Sequence, residues 1–244
     1  MVQGLDGKFW GPWIRRNYIA EIERLRATLL DRMLPALPDA EEEVDVHMKA
    51  MWEWAMAQPS DGNNDPGMWA EWVQDQGLER YERLRNMRQA IQNMGTVMLW
   101  HLLEQQILSF HLRQVVSIGE EQKIRCNPAT HKDLHNLKKF KERLKQKGCD
   151  VTHLPSWQNV DELRLVANTV KHASGDSARS LYKTRPDLFM LHGAENFRQG
   201  LTPHLPDVER PAGGEDLYVT DADLCLYFTT SAEFWTQLCE MIEV

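Results

Sequence analysis

VMLWHLLEQQILSFHL, residues 97–112, is the most apolar stretch of the chain. Its leucines and isoleucine fall at helical rather than alternating spacing, so it predicts a central helix. It sits inside a proline-free run from Met68 to Ser117. Gly77 and Gly95 are the only residues there expected to bend a helix, and the run predicts one very long helix or two abutting ones.

The chain on either side continues the pattern. Toward the N-terminus, Ile14, Tyr18, Ile22, Leu25 and Leu29 recur at helical spacing and predict a helix from Trp13 to Leu34, ended by Pro35 and Pro38. Asp39 can cap a second helix, Ala40 to Gln58, with acids in its first turn where the helix dipole favours them. Pro59 to Gly67 then reads as a loop. Toward the C-terminus, SIGEEQKIRCNP (117–128) reads as a break. Asn127 is expected to cap a helix that starts at Pro128 and runs to Lys147, with Leu134, Leu137, Phe140 and Leu144 buried and Gly148 closing it. Ser156 or Asn159 opens another helix, ending between Ala173 and Gly175, and a short one spans Ser177 to Thr184. Leu191 to Gly214 reads as a long loop, Leu217 to Val219 as a short strand, and Asp221 as the cap of a last helix to Glu243. The expected fold is all-α: a bundle of long helices with at most a short strand or hairpin near the C-terminus. Residues 1–66 form an N-terminal helical segment and 67–244 the bundle, or the two make one continuous domain.

The totals agree with a globular protein. The 244 residues are 42% hydrophobic and 26% charged, which argues against wholesale disorder. Eleven Met and nine Trp suit the irregular gaps between packed helices, and those of Met48–Trp54 and Met68–Trp72 are expected in the core rather than on a partner surface. The opening residues, MVQGLDGKFWGPW, contain no apolar secretion signal. No apolar run approaches the roughly 20 residues that span a bilayer, so no membrane partner is expected. Cys126, Cys149, Cys225 and Cys239 show no tight spacing, which suits a reduced, cytoplasmic setting.

Two predicted helices carry polar residues among apolar ones. At 100° per residue, His101, Glu104, Leu108 and His111 share one face of the central helix. On the helix around Val160 to Ala173, Leu163, Val166, Ala167 and Val170 form the apolar stripe, while Arg164, Asn168, Lys171 and His172 fall on an adjoining strip. A buried charge without a partner is costly. One reading is therefore a structural network in which Glu104 pairs with Lys171 or Arg164. The other is an acid–base site in which His172 moves protons and Lys171 or Arg164 stabilises a developing anion.

The polar turn NTVKH (168–172), continuing into ASGDS in a helical bundle, resembles the HEPN superfamily. The resemblance implies a helical bundle, in many members a metal-independent ribonuclease, of the kind found in toxin–antitoxin, phage-defence and CRISPR systems. The family's Arg and His would be carried by Arg164 and His172. It also implies assembly as a homodimer or as a hetero-complex with a partner protein, with RNA as substrate and no cofactor. The candidate catalytic residues are His172, Arg164, Lys171, Asn168, Glu104 and His101. The alternative is a non-catalytic helical binding or scaffold subunit of a defence complex.

Charge supplies one further signal. The chain carries a net −8, yet Lys123 to Lys147 holds nine Lys/Arg against Asp133 and Glu142, a local +7 that leaves −15 elsewhere. Lys138, Lys139, Lys141, Lys145 and Lys147 project from a helix whose other side is apolar and make a candidate nucleic-acid strip; a solvated helix face is the competing reading. His131 and His135 stand four apart, flanked by Cys126, Cys149 and His153, but without a C-x-x-C pair no metal site is expected. The glycines form neither a dinucleotide fingerprint nor a phosphate loop, and no G-x-S-x-G is present.

Overall fold

A computed structural model describes residues 5–58, 66–173, 175–189 and 217–243. The fold is all-α, and no strand occurs among the described residues. The long helix α4 (Pro66–Phe110) is unbroken over 45 residues. At 1.5 Å per residue it is about 65 Å long. Gly77 and Gly95 do not interrupt it; they admit neighbours. A Cβ on Gly77 would lie 2.5 Å from the Met48 sulfur, and one on Gly95 would strike the Leu29 side chain.

α1 (Gly7–Ile14) begins earlier than its periodicity suggests, because Asp6 caps it through the Phe9 amide at 3.2 Å. Pro12 lies inside it and supplies no amide hydrogen to the turn before. The chain then widens into a π turn, Arg15–Ile19, before α2 (Ala20–Thr28), and again at Leu29–Met33. α3 (Ala40–Met56) is capped by Asp39, which accepts from the Glu41 and Glu42 amides.

The segment expected to be a break forms α5 (Ile118–Arg125), capped by Ser117. Pro128 does not start a helix; Asn127 instead closes a turn onto the Ala129 amide. A 3-10 turn, His131–His135, follows. α6 (Leu137–Gln146) is then capped by Asn136, which accepts from Lys138 and Lys139. α7 (Trp157–His172) and α8 (Asp176–Thr184) lie close to their expected bounds. The final helix, α9 (Asp221–Glu243), is capped by Thr220 rather than Asp221. The Thr220 hydroxyl accepts from the Asp223 amide and the Asp223 carboxylate accepts from the Thr220 amide, both at 3.0 Å, a reciprocal box.

Leu217–Val219 forms no strand among the described residues; its Tyr218 amide donates to the Leu188 carbonyl at 2.7 Å. Side-chain amides on α4 take its carbonyls: Asn93 donates to Leu217 at 2.8 Å and Gln89 to Val219 at 3.0 Å. Gln92 and Arg88 then hold the Asp221 carboxylate. The expected loops at 59–65 and 191–214 lie outside the described residues.

One apolar core joins α1, α2, the C-terminal half of α4, α7 and α9, with Trp10, Ile14, Ile22, Leu103, Leu163, Phe234 and Trp235 inside it. Gln106 spans its centre, donating to the Tyr18 carbonyl and the Glu21 carboxylate and accepting from the Trp235 indole at 2.8 Å. That satisfies an indole N–H which burial would otherwise strand. The first 66 residues therefore divide. α1 and α2 belong to the common core, whereas α3 and residues 66–90 of α4 contribute nothing to it and form a hairpin arm. On the arm Trp54, Trp69 and Trp72 stack on one another at 5.6–5.9 Å, and Trp52 and Trp54 stay exposed. These aromatics are not core residues, contrary to the sequence expectation.

Candidate functional site

α7 lies against α4 with Val160, Leu163, Val166 and Ala167 turned inward. The polar strip beside this stripe therefore faces outward. Lys171 and His172 are exposed, and Arg164 and Asn168 are half-buried. Arg164 is held by Asp161 at 2.8 Å. Across the interface Glu104 is half-buried and His101 is exposed. Neither makes an ion pair or hydrogen bond among the described residues. The expected pairing of Glu104 with Lys171 or Arg164 is thus replaced by a local Arg164–Asp161 pair, because the strip on α7 does not turn toward α4.

The backbone changes course directly after His172. Ala173 has φ 56° and ψ −135°, a conformation that costs a residue with a Cβ roughly 1–3 kcal/mol. It brings α7 to a stop and redirects the chain into α8.

His111 departs from the face it was expected to share with His101 and Glu104, since Phe110 ends α4 and a π turn, His111–Val115, follows. His111 is fully buried. Its Nε2 lies 3.1 Å from Nη1 of Arg143, whose Nε donates to Glu120 at 2.9 Å. Burial and then the adjacent guanidinium push its imidazole down to about 4. At neutral pH His111 is an uncharged acceptor that braces the end of α4 against α5 and α6, with no proton to supply.

A second charged cluster lies between α7, α8 and α9. Arg185 donates to Glu162 at 2.5 Å, to Asp223 at 2.7 Å and to Asp187. Tyr227, fully buried, donates its hydroxyl to Glu162 at 2.7 Å. The Arg185 guanidinium is raised by its bond to Asp187, against burial, with Asp223 adding to the rise. The Tyr227 phenol is raised by burial and by the nearby Glu162 charge. Both are locked in their ordinary forms, so the cluster fastens three helices. Sequence reasoning missed it. Its one readable signal was Thr220-x-x-Asp223, the capping box that puts Asp223 in reach.

The basic strip on α6 is partly neutralised by its own chain. Lys139 pairs with Glu142 and Lys145 with Asp150. The Lys141 ammonium stands 5.2 Å over the Trp157 ring. Lys138 and Lys147 are left without an ion pair among the described residues. Including Glu120, Glu121 and Asp150, which pair with or flank this segment, the local +7 becomes +4. His131 and His135 lie 5.9 Å apart, and no group of three or more metal-ligating side chains gathers among the described residues.

No known family, curated protein or solved structure matches this chain. The four cysteines carry no disulfide. Among the described residues no helix is long and apolar enough to cross a membrane.

Proposed function

We propose that this chain is a non-catalytic helical binding or scaffold subunit. The observation that supports this reading is the dispersal of the groups an acid–base site would need. Arg164 and His172 lie eight residues apart on one continuous helix, about 12 Å along its axis, too far to hold one phosphate between them. Arg164 is already occupied by Asp161, His111 is neutral and walled in, and Arg185 is committed to three carboxylates. A defence-complex setting is part of the proposal and rests on the HEPN resemblance alone.

A second reading, a metal-independent endoribonuclease, is favoured by one observation: exposed, unpaired His172 and Lys171 immediately precede the strained Ala173, and such strain gathers at functional sites. In that reading a ribose 2′-oxygen bonds to the adjacent phosphorus and gives its proton to His172. The bond from phosphorus to the 5′-oxygen breaks, and that oxygen takes the proton back from His172. Lys171 steadies the phosphorane before that bond breaks, with Arg164 assisting only if a second copy supplies it. Incubating the purified protein with total RNA in EDTA separates the readings. Intact RNA is expected; fragments that disappear in His172→Ala would put the second reading in its place.

A further inference from the structure

Among the described elements, α3 packs against α4. Three contacts set the two helices antiparallel: Glu43 with Arg80 at 3.1 Å, Met48 against Gly77, and Trp54 with Trp72 at 5.6 Å. Between these contacts α3 covers the side of α4 that carries Val73 and Gly77, both buried. Among the described residues none from 40 to 90 belongs to an apolar core cluster.

The grip of α3 is slight. Only Ala55 of its 17 residues is buried. By contrast α7, one residue shorter, buries Trp157, Val160, Leu163, Val166, Ala167 and Thr169. The Glu43 and Arg80 side chains are 43% and 42% exposed, and ion pairs in that setting contribute little. The firmest contact is Trp54, which meets Trp69 and Trp72 yet stays 48% exposed. A helix of this length is marginal in water by itself, even when well capped, and depends on what it buries. Segments with few buried apolar contacts open at a lower free energy than the whole molecule. α4 does not need to come apart for this to happen. It runs unbroken out of the core, and Glu79 pairs with Arg83 along its own face.

We infer that α3 is a releasable strap. It lifts off α4 while the core of α1, α2, α4, α7 and α9 stays folded. Release bares Val73 and Gly77 beside Trp69 and Trp72, so the chain can present or withdraw an apolar strip of α4 without unfolding. The inference does not rest on the binding-subunit reading, which is judged on RNA.

The test is hydrogen exchange of the intact protein at pH 7, read by mass spectrometry. In wild type the amides of residues 44–56 are expected to exchange at least about a hundredfold faster than the slowest amides of α7 and α9, yet slower than an unstructured peptide. Trp54→Ala is expected to quicken α3 by about a further tenfold and to leave α7 and α9 unchanged. Gly77→Leu is expected to act in the same direction. Its Cβ would stand 2.5 Å from the Met48 sulfur and 2.7 Å from Cγ, so Met48 is displaced. Leucine also favours the α4 helix more than glycine does, so faster exchange at α3 then reports its displacement and not unwinding of α4. Exchange at α3 as slow as at α7 and α9 would overturn the inference, because arm and core would open as one. So would exchange as fast as in an unstructured peptide, because the strap would never close. Variants that leave α3 unchanged, or that quicken all three helices together, would overturn it as well.

Discussion

Replacing Arg185 with Met removes the cation that three helices share. The side chain is 21% exposed, and its main partners, Glu162 and Asp223, are 13% and 12% exposed. Both carboxylates would stay in place with their desolvation uncompensated, the Tyr227 hydroxyl covering one oxygen of Glu162 and Thr220 one of Asp223. Stranding a buried charge in this way costs about 3–5 kcal/mol. For a chain of this size each kcal/mol moves the melting midpoint by about 2–4 °C, so a fall of roughly 6–20 °C is expected. The assay is thermal unfolding followed by circular dichroism at pH 7 and pH 5. In wild type, burial works against ionised Asp223, but its bonds to Thr220 and Arg185 outweigh this and hold the carboxyl below its usual value. Its contribution is complete above the unfolded carboxylate pKa of about 3.9 and is lost as pH falls through the folded value. In the variant the sign reverses. Carboxylates left in a dry site bind protons more readily than in the unfolded chain, so the deficit should shrink between pH 7 and pH 5. A midpoint at pH 7 within about 2 °C of wild type would refute the reasoning, because only exposed, independent groups are that tolerant.

Three further outcomes are expected. The folded His111 imidazole binds its proton near 4 and the unfolded one near 6.5, so stability should drop by about 3 kcal/mol as pH falls through that window; urea midpoints against pH measure it, and His111→Gln should flatten the slope. Asn93→Ala removes the donor to the buried Leu217 carbonyl and should cost about 1–3 kcal/mol, with hydrogen exchange quickening at the Tyr218 amide, which donates to Leu188. Lys138→Glu with Lys141→Glu and Lys145→Glu should leave RNA binding weak and unchanged across a salt series, because Glu142 and Asp150 already pair two of the five lysines, Lys141 lies over the Trp157 ring and the local charge falls from +7 to +4; orders-of-magnitude loss with a steep salt slope in wild type would instead mark a phosphate contact.

Helix class was legible because periodicity is local. Leu99, Leu103, Ile107 and Phe110 all sit in the core that their spacing implied. The Asp39 cap was equally local and stands as read. What the chain hid was orientation. The α7 strip looked inward by its neighbours in sequence, yet which face of α7 meets α4 depends on three-dimensional packing. The same holds for Arg185, which follows α8 and gains its partners only when α7 and α9 converge on it. Charge counting along Lys123–Lys147 overstated the basic strip, because Glu120 and Asp150 lie outside that window and fold back onto it. Asn127-Pro128 carried a sound start signal but lost to Asn136, whose carbonyl oxygen reaches two amides of α6. Leu217–Val219 has strand composition, and the amides of α4 stand where a neighbouring strand would have been.

The central claim, a subunit that binds rather than cuts, is tested most directly by the rate of cleavage of a fluorogenic single-stranded RNA in EDTA. Protein concentration should span the micromolar range, since only a second copy could bring its Arg164 beside the His172 of the first. The predicted rate equals that of the protein-free control at every concentration. A rate above the control that climbs with protein concentration and is abolished by His172→Ala would contradict the claim.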